Sequence, residues 1–361
     1  MNDLFTDDID AEARRGRGAV RNLTGRFEAL MRHRADDGWE AQPQDVVRTQ
    51  VLDDHPRRII TRNQSPDVPF DRSINPYKGC EHGCVYCFAR PTHTFLGLSA
   101  GLDFESRIFA KPNAAQLLES ELGKPGYIPD TIAIGTNTDP YQPIEKERRI
   151  MRAILEVLDA WNHPVAIVTK GALVTRDTDI LGRMARRGLA KVAVSLTTLD
   201  PHLSRRMEPR ASAPQVRLRA IGALARAGVP TGFMLAPIIP ALNDHEIERI
   251  VEAGARAGAT WASSVALRLP LEVSPLFRDW LQEHYPARAH RIMAQVREMH
   301  GGKDYDSQWG KRMRGEGVYA NLIARRFDAA MKRHGLRRKL APLDRSRFAA
   351  PPRAGDQFTL F

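Results

Sequence analysis

The sequence predicts an α/β fold built on a parallel sheet, and three observations carry that prediction. Between Arg72 and Ala257, short apolar runs alternate with stretches of helical period, and a sixth apolar run follows. Strand-then-helix repetition requires parallel strands joined by right-handed crossovers. Two of the helical stretches stop at Gly188 and Gly228, where a helix C-terminus favours a residue that accepts positive φ. No G-x-G-x-x-G follows the first strand, so pattern alone leaves a curved barrel at least as plausible as a doubly wound sheet.

The elements follow in chain order. Residues 1–65 are polar, rich in Arg and Asp, and without sustained period apart from a short helix around Thr24–His33; they read as a mobile arm. Arg14, Arg15, Arg17, Arg21 and Arg26 are interleaved there with small residues, a pattern suited to a segment that orders on a phosphate backbone, although neighbouring acids nearly cancel the charge. The core, 66–274, holds the expected strands Arg72–Tyr77, Thr131–Gly135, Val165–Thr169, Lys191–Leu196, Thr231–Ala236 and Ser263–Leu267. Helices are expected at Glu145–Trp161, Asp177–Arg187, Val216–Ala227 and Glu246–Ala257, where apolar residues recur at three and four.

From 275 to 340 no strand is expected, only helices at Pro275–His284, Ala287–His300 and Val318–His334. That region carries Arg312, Arg314, Arg325, Arg326, Lys332, Arg333, Arg337, Arg338 and Lys339 among few acids, which makes it a candidate nucleic-acid contact. Residues 341–361 begin as a Pro- and Ala-rich spacer and read as a flexible tail. Lys plus Arg number 54 against 43 Asp plus Glu, a net charge of +11 that favours polyanionic partners. Neither an 18-residue apolar run nor a charged-then-apolar start is present, so no membrane span and no signal peptide are expected, and the compartment expected is the cytoplasm.

All three cysteines fall in Asn75–Arg90, at Cys80, Cys84 and Cys87. An odd number in one loop is a ligand set rather than a disulfide framework. On chemistry alone they suit three irons of a cubane cluster, or a zinc site completed by His82 or His93. A structural zinc site usually splits its ligands into two pairs, and here there is no second pair, which favours iron and sulfur. Gly79 and Gly83 let the loop curl around a cluster, and Lys78 and Arg90 are candidates to offset its charge.

The C-x3-C-x2-C spacing with Tyr86 before the last cysteine resembles the signature of radical S-adenosylmethionine (SAM) enzymes. The wider strings NPYKGCEHGCVYCFARPTH, GTNTDPYQPIE and APIIPALND are similar to the subgroup related to spore photoproduct lyase, labelled DNA repair photolyase-like, over roughly Arg72–Leu336. The resemblance implies a partial (β/α)6 barrel open on one side, a [4Fe-4S] cluster on the three cysteines, bound S-adenosylmethionine, and a reductant such as flavodoxin or ferredoxin. In such barrels the reactive groups sit where the strands end. Thr136 and Asp139 follow the second expected strand, Lys170 the third, Ser195 ends the fourth, and Asn243 and Arg268 follow the fifth and sixth. Lys170 and Ser195 resemble the Lys and Ser that hold the cofactor's carboxylate and ribose, Tyr86 the aromatic packed near adenine, and Gly135–Asp139 the loop that meets the cofactor's amine.

The family's hydrogen-returning cysteine has no counterpart in IAIGTNTDPYQP. Either Tyr141 or regenerated deoxyadenosine takes that part, or the substrate is not a thymine dimer, which we favour. Absence of other cysteines excludes auxiliary clusters. Finally, Gln357–Phe361 resembles the pentapeptide that binds the bacterial sliding clamp, with Phe358 in place of the usual Leu. The expected activity is hydrogen abstraction from a substrate, nucleic acid first; the alternatives are a small-molecule or protein substrate, or a non-enzymatic metal-binding adaptor.

Overall fold

The computed structural model of the protein describes residues 7–8, 11–28 and 46–352. Its main sheet contains β1 (Ile60–Arg62), β2 (Arg72–Ile74), β3 (Ile132–Ile134), β4 (Val165–Thr169), β5 (Ala190–Ser195), β6 (Thr231–Ile238) and β7 (Trp261–Ala266). The strands lie in sequence order from one edge to the other. β1 pairs antiparallel with β2, and every later pairing is parallel. Strand order never reverses, so there is no switch point of the doubly wound kind, and right-handed crossovers place the connecting helices on one face. Among the described residues the end strands do not pair, which leaves the barrel open.

Alternation within the strands builds two surfaces. Ile132, Ile134, Val165, Ile167, Val192, Val194, Phe233 and Leu235 join the main core beneath the helices. Ala133, Ala166, Val168 and Ala193 fall on the other face, where small side chains leave room inside the barrel. The connecting helices are α1 (Ala114–Leu122), α2 (Ile150–Ala160), α3 (Thr178–Arg186), α4 (Pro214–Arg226) and α5 (Ile247–Arg256). Gly254 lets α5 approach β6 closely: a Cβ there would sit 2.4 Å from the Phe233 ring.

The helix expected over Glu145–Trp161 is broken. A turn at Glu145–Arg148 ends at Arg149, with φ of 51°, before α2 begins. The cause is the buried Glu145 carboxylate, which accepts from the backbone N–H of Met151 (3.0 Å), from Tyr77 Oη (2.5 Å) and from Arg176 (2.7 Å). It caps the second segment, and a continuous helix could not deliver it there.

The N-terminal residues correct the mobile-arm reading wherever they are described. Gly18 and Ala19 donate their backbone N–H groups to the two oxygens of buried Glu105, at 2.7 and 2.8 Å. Arg17 donates to the carbonyls of Glu105 (2.7 Å) and Val47 (2.9 Å), and Ala19 packs with Ala100, Leu102 and Leu276. Half of the short helix expected at Thr24–His33 lies outside the described residues, and the other half, 24–28, forms a turn and no helix.

Three helices follow the barrel as expected: α6 (Val273–His284), α7 (Pro286–Met299) and α8 (Gly317–Arg333). α8 contributes Phe327 and Met331 to the main core, whereas α6 and α7 supply Phe277, Trp280 and Ile292 to a second core that also contains Cys84, Val85 and Tyr86. The basic face here is partly neutralised. Arg312 pairs with Asp67 (2.5 Å), Arg326 with both oxygens of Glu248, and Arg338 with Asp328. The start of the tail is docked rather than free: Phe348 stacks on Trp161 at 5.8 Å, and Ala349 N–H donates to the Trp161 carbonyl. Gln357–Phe361 lies outside the described residues. Among those described, no helix is long and apolar enough to cross a membrane.

Candidate metal centre

The cysteine loop leaves the barrel after β2. Its first part, Tyr77–Lys78, pairs antiparallel with Arg107–Ala110, and that strand pairs in parallel with Gln50–Asp53. Gly79 and Gly83 take φ of 78° and 66°, as the curl around a metal group requires. The Cys80 N–H donates to the Phe104 carbonyl (2.9 Å), and the Gly79 carbonyl accepts from Thr138 Oγ1 (2.6 Å). Arg90, fully buried, fixes the rest. Its guanidinium donates to the carbonyls of Gly83, Cys84, Ala100 and Gly101 and, at 2.5 Å, to Glu105. Arg90 is therefore the clamp of the loop and not a charge facing the metal group, while Lys78 pairs with Asp54 at 2.9 Å.

All three thiols are free; Cys80 and Cys84 are buried and Cys87 is half-buried. Burial first, then Asp139 and the other two cysteines, push the Cys80 thiol well above its ordinary value. Burial likewise pushes Cys84 up to about 12 against the pull of Lys170. The thiols are thus close enough to feel one another, and loading a metal group must displace their protons.

Neither histidine completes a zinc site. His93 Nε2 lies 2.9 Å from the Arg107 carbonyl, its ring packs edge-on to Phe104, and burial drops its pKa to about 4. His82 Nδ1 lies 3.3 Å from Asp139 Oδ2. Among the described residues, no three His, Cys, Asp or Glu side chains converge on a point as a single metal ion requires. A wrapped loop with three thiols and no fourth protein ligand fits an iron–sulfur cluster that keeps one iron open.

Around Cys84 the structure gathers Tyr86, Lys170, Thr197 and Glu208. Lys170 Nζ stands 5.6 Å from the Tyr86 ring centroid, and no hydrogen bond to a described residue engages that ammonium. Burial, the largest influence, would lower the Lys170 pKa; Cys84 and Glu208 outweigh it, so the charge is kept. Tyr86 donates its phenol to buried Glu208, which also accepts from Thr197 Oγ1 (2.7 Å) and from Arg217. Arg217 first, then Lys170 and the Tyr86 hydroxyl, overcome burial and hold Glu208 at about 2. Ser195 stands at the end of β5 with its carbonyl accepting from Arg217 (3.1 Å). Sequence reasoning missed Arg217, because an arginine inside the amphipathic helix α4 carries no mark of burial.

Four expected site residues are engaged elsewhere. Asp139 accepts from the N–H groups of Lys170 (2.7 Å) and Tyr141 (2.9 Å) and from Thr169 Oγ1 (2.6 Å), so its carboxylate braces two strand ends. Asn243 spends its amide on Ile239 N–H and on the carbonyls of Thr197 and Pro237. Thr136 donates to Asn75 Oδ1 (3.3 Å). Tyr141 is buried in the main core, where Asp177 and Glu145 act on its phenol after burial itself. Its phenol thus lies by Asp177, Glu145 and Arg176 in the main core, a cluster that includes none of the three cysteines.

Comparison with known proteins agrees with this geometry. The chain is 39% identical over 236 residues to an uncharacterized protein of Mycobacterium tuberculosis, a match spanning 64% of this chain and 68% of the relative. It is 28% identical over 213 residues to an uncharacterized protein of Methanocaldococcus jannaschii, spanning 59% of this chain and 76% of the relative. Among solved structures, spore photoproduct lyase complexed with dinucleoside spore photoproduct shares the fold at a TM-score of 0.58 and 16% identity, over 79% of this chain and 80% of that one. The family model of the Radical SAM superfamily matches residues 74–254, half of the chain and the part that runs from β2 and the cysteine loop to α5. That stretch holds both the thiol loop and most of the open sheet, and the chain belongs to the radical SAM superfamily.

Proposed function

We propose that the chain is an enzyme that abstracts a hydrogen atom from a nucleic-acid substrate. The family uses a [4Fe-4S] cluster and S-adenosylmethionine, which when bound supply a 5′-deoxyadenosyl radical. Cys80, Cys84 and Cys87 would hold three irons, Lys170 and Ser195 the carboxylate and ribose of S-adenosylmethionine, and Tyr86 the adenine side. The observation that carries the enzyme reading is the Lys170 ammonium beside Cys84, a half-buried cation that keeps its charge with no anion among the described residues bonded to it.

The chain contributes exclusion and orientation. Phe277, Trp280, Leu267 and Leu269 pack with Cys84 and Tyr86 and keep water from that side of the loop. Glu208, bonded to the Tyr86 phenol, fixes the ring under Lys170. The sequence has no cysteine beyond the three ligands and the Tyr141 phenol lies in the main core by Asp177 and Glu145, so neither a thiol nor this phenol returns hydrogen to a product. That supports a reaction other than splitting a thymine dimer. Nucleic acid as substrate class is supported by the net charge of +11 and by the shared fold with a lyase solved with a dinucleoside photoproduct.

Deuterium transfer tests the substrate class. Protein reconstituted anaerobically with iron and sulfide and reduced with dithionite is expected to make 5′-deoxyadenosine carrying deuterium from deuterated DNA or RNA. Deoxyadenosine that never acquires label from either would exclude nucleic acid and favour a small-molecule or protein substrate. Lys170→Met is expected to weaken S-adenosylmethionine binding to the reconstituted protein by about 10- to 100-fold, the worth of one charge-assisted hydrogen bond. Unchanged affinity in equilibrium binding would remove Lys170 from the cofactor site.

A further inference from the structure

Arg268 is a charge that the fold leaves open. It follows β7, and its guanidinium carbon lies 4.1 Å from the centroid of the Phe88 ring. Phe88 comes directly after the last cysteine and is 43% exposed, a large ring turned outward at the edge of the metal centre. Arg268 itself is half-buried, and neither a hydrogen bond nor an ion pair to another described residue engages it. The acid that acts on it, Asp67, is already taken by the Arg312 guanidinium at 2.5 Å and by the Gly310 N–H at 2.7 Å. Burial pulls the Arg268 pKa down, and Tyr305, Cys87 and Asp67 act on it only at longer range.

A desolvated cation without a partner is costly unless an anion arrives to pair with it. An exposed aromatic ring is a surface on which any base can stack, and a guanidinium lying over that ring adds a second flat face together with phosphate-binding edges. Trp309, 59% exposed, precedes the Gly310 whose N–H donates to Asp67, the acid that acts on Arg268.

We propose that Phe88 and Arg268 form a nucleotide clamp at the barrel mouth, in which a base stacks on the Phe88–Arg268 pair and the guanidinium takes the adjoining phosphate beside Cys87. The clamp rests on the nucleic-acid reading above and deepens it: it assigns the residues that would bring one nucleotide to the cofactor.

Fluorescence anisotropy of a labelled 12-nucleotide single strand, DNA in one arm and RNA in the other, tests it on the full reconstituted chain over a salt series. Arg268→Gln is expected to weaken binding about 10-fold or more and to reduce the salt slope by about 1, as loss of one phosphate contact does. Arg268→Lys keeps the slope and loses only part of the affinity. Phe88→Leu weakens binding about 10-fold with the slope unchanged, and Phe88→Tyr retains it. Circular dichroism and iron content confirm that each variant is folded and loaded. If wild type binds a strand and both Arg268→Gln and Phe88→Leu bind it equally well, the clamp is overturned and the nucleic-acid reading stands. If wild type binds neither strand, the nucleic-acid reading falls and the clamp with it.

Discussion

Alanine in place of Cys84 is expected to leave a folded protein that holds no [4Fe-4S] cluster and forms no 5′-deoxyadenosine. The two consequences separate because they rest on different atoms. The backbone of Cys84 is held by Arg90, which donates to its carbonyl at 2.9 Å, and by the packing of Val85 and Tyr86 against α6. Neither needs the sulfur, so the folding cost is on the order of 1 kcal/mol, a small part of the usual stability of a domain. The sulfur is one of only three cysteine sulfurs in the chain; of the two histidines near the loop, His93 is held on the Arg107 carbonyl and His82 faces Asp139. The checks are iron and sulfide content, visible absorption and chromatography for deoxyadenosine after anaerobic reconstitution. Full iron loading in Cys84→Ala would show that the loop is not the ligand set. A colourless wild type with one zinc would return the cysteines to a structural knuckle.

What could be read from the sequence was whatever depends on local period and residue type. Val165–Thr169 coincides with β4 to the residue, because its apolar run is bounded by Pro164 on one side and Gly171 soon after Lys170 on the other. Gly79 and Gly83 were expected at positive φ and are found there. Tertiary satisfaction was not legible. Asp139, Asn243 and Lys170 all stand at strand ends, and nothing in their order says that the first two have spent their polar atoms on backbone while the third has not. The docking of Gly18 and Ala19 on Glu105 pairs residues more than 80 positions apart through backbone N–H groups, which no periodicity encodes. The small sheet of Gln50–Asp53, Tyr77–Lys78 and Arg107–Ala110 escaped for a related reason: its strands have two to four residues, too few for alternation to register.

Methionine in place of Arg90 is expected to destabilise the fold by about 3–5 kcal/mol, the range found when one partner of a buried ion pair is removed. Both Arg90 and Glu105 are fully buried. Methionine fills much of the same volume, so the cost is electrostatic. The carbonyls of Gly83, Cys84, Ala100 and Gly101 lose their donor, and the Glu105 carboxylate keeps only the two N–H groups of Gly18 and Ala19. Lysine should recover part of the loss, since its three donors cannot reproduce a guanidinium fork that reaches five acceptors. Urea midpoints at constant m-value measure the effect. The cluster should be lost as well, through the scaffold and not through the ligands: Arg90→Met lowers both midpoint and iron content, whereas Cys84→Ala lowers iron content with little change in midpoint. Adding Glu105→Gln to Arg90→Met removes the uncompensated charge, and the double variant should be more stable than the sum of the single losses. An Arg90→Met protein with the wild-type midpoint would mean that the N-terminal residues bonded to Glu105 hold the loop alone, and the clamp would then belong to Gly18 and Ala19 instead of Arg90.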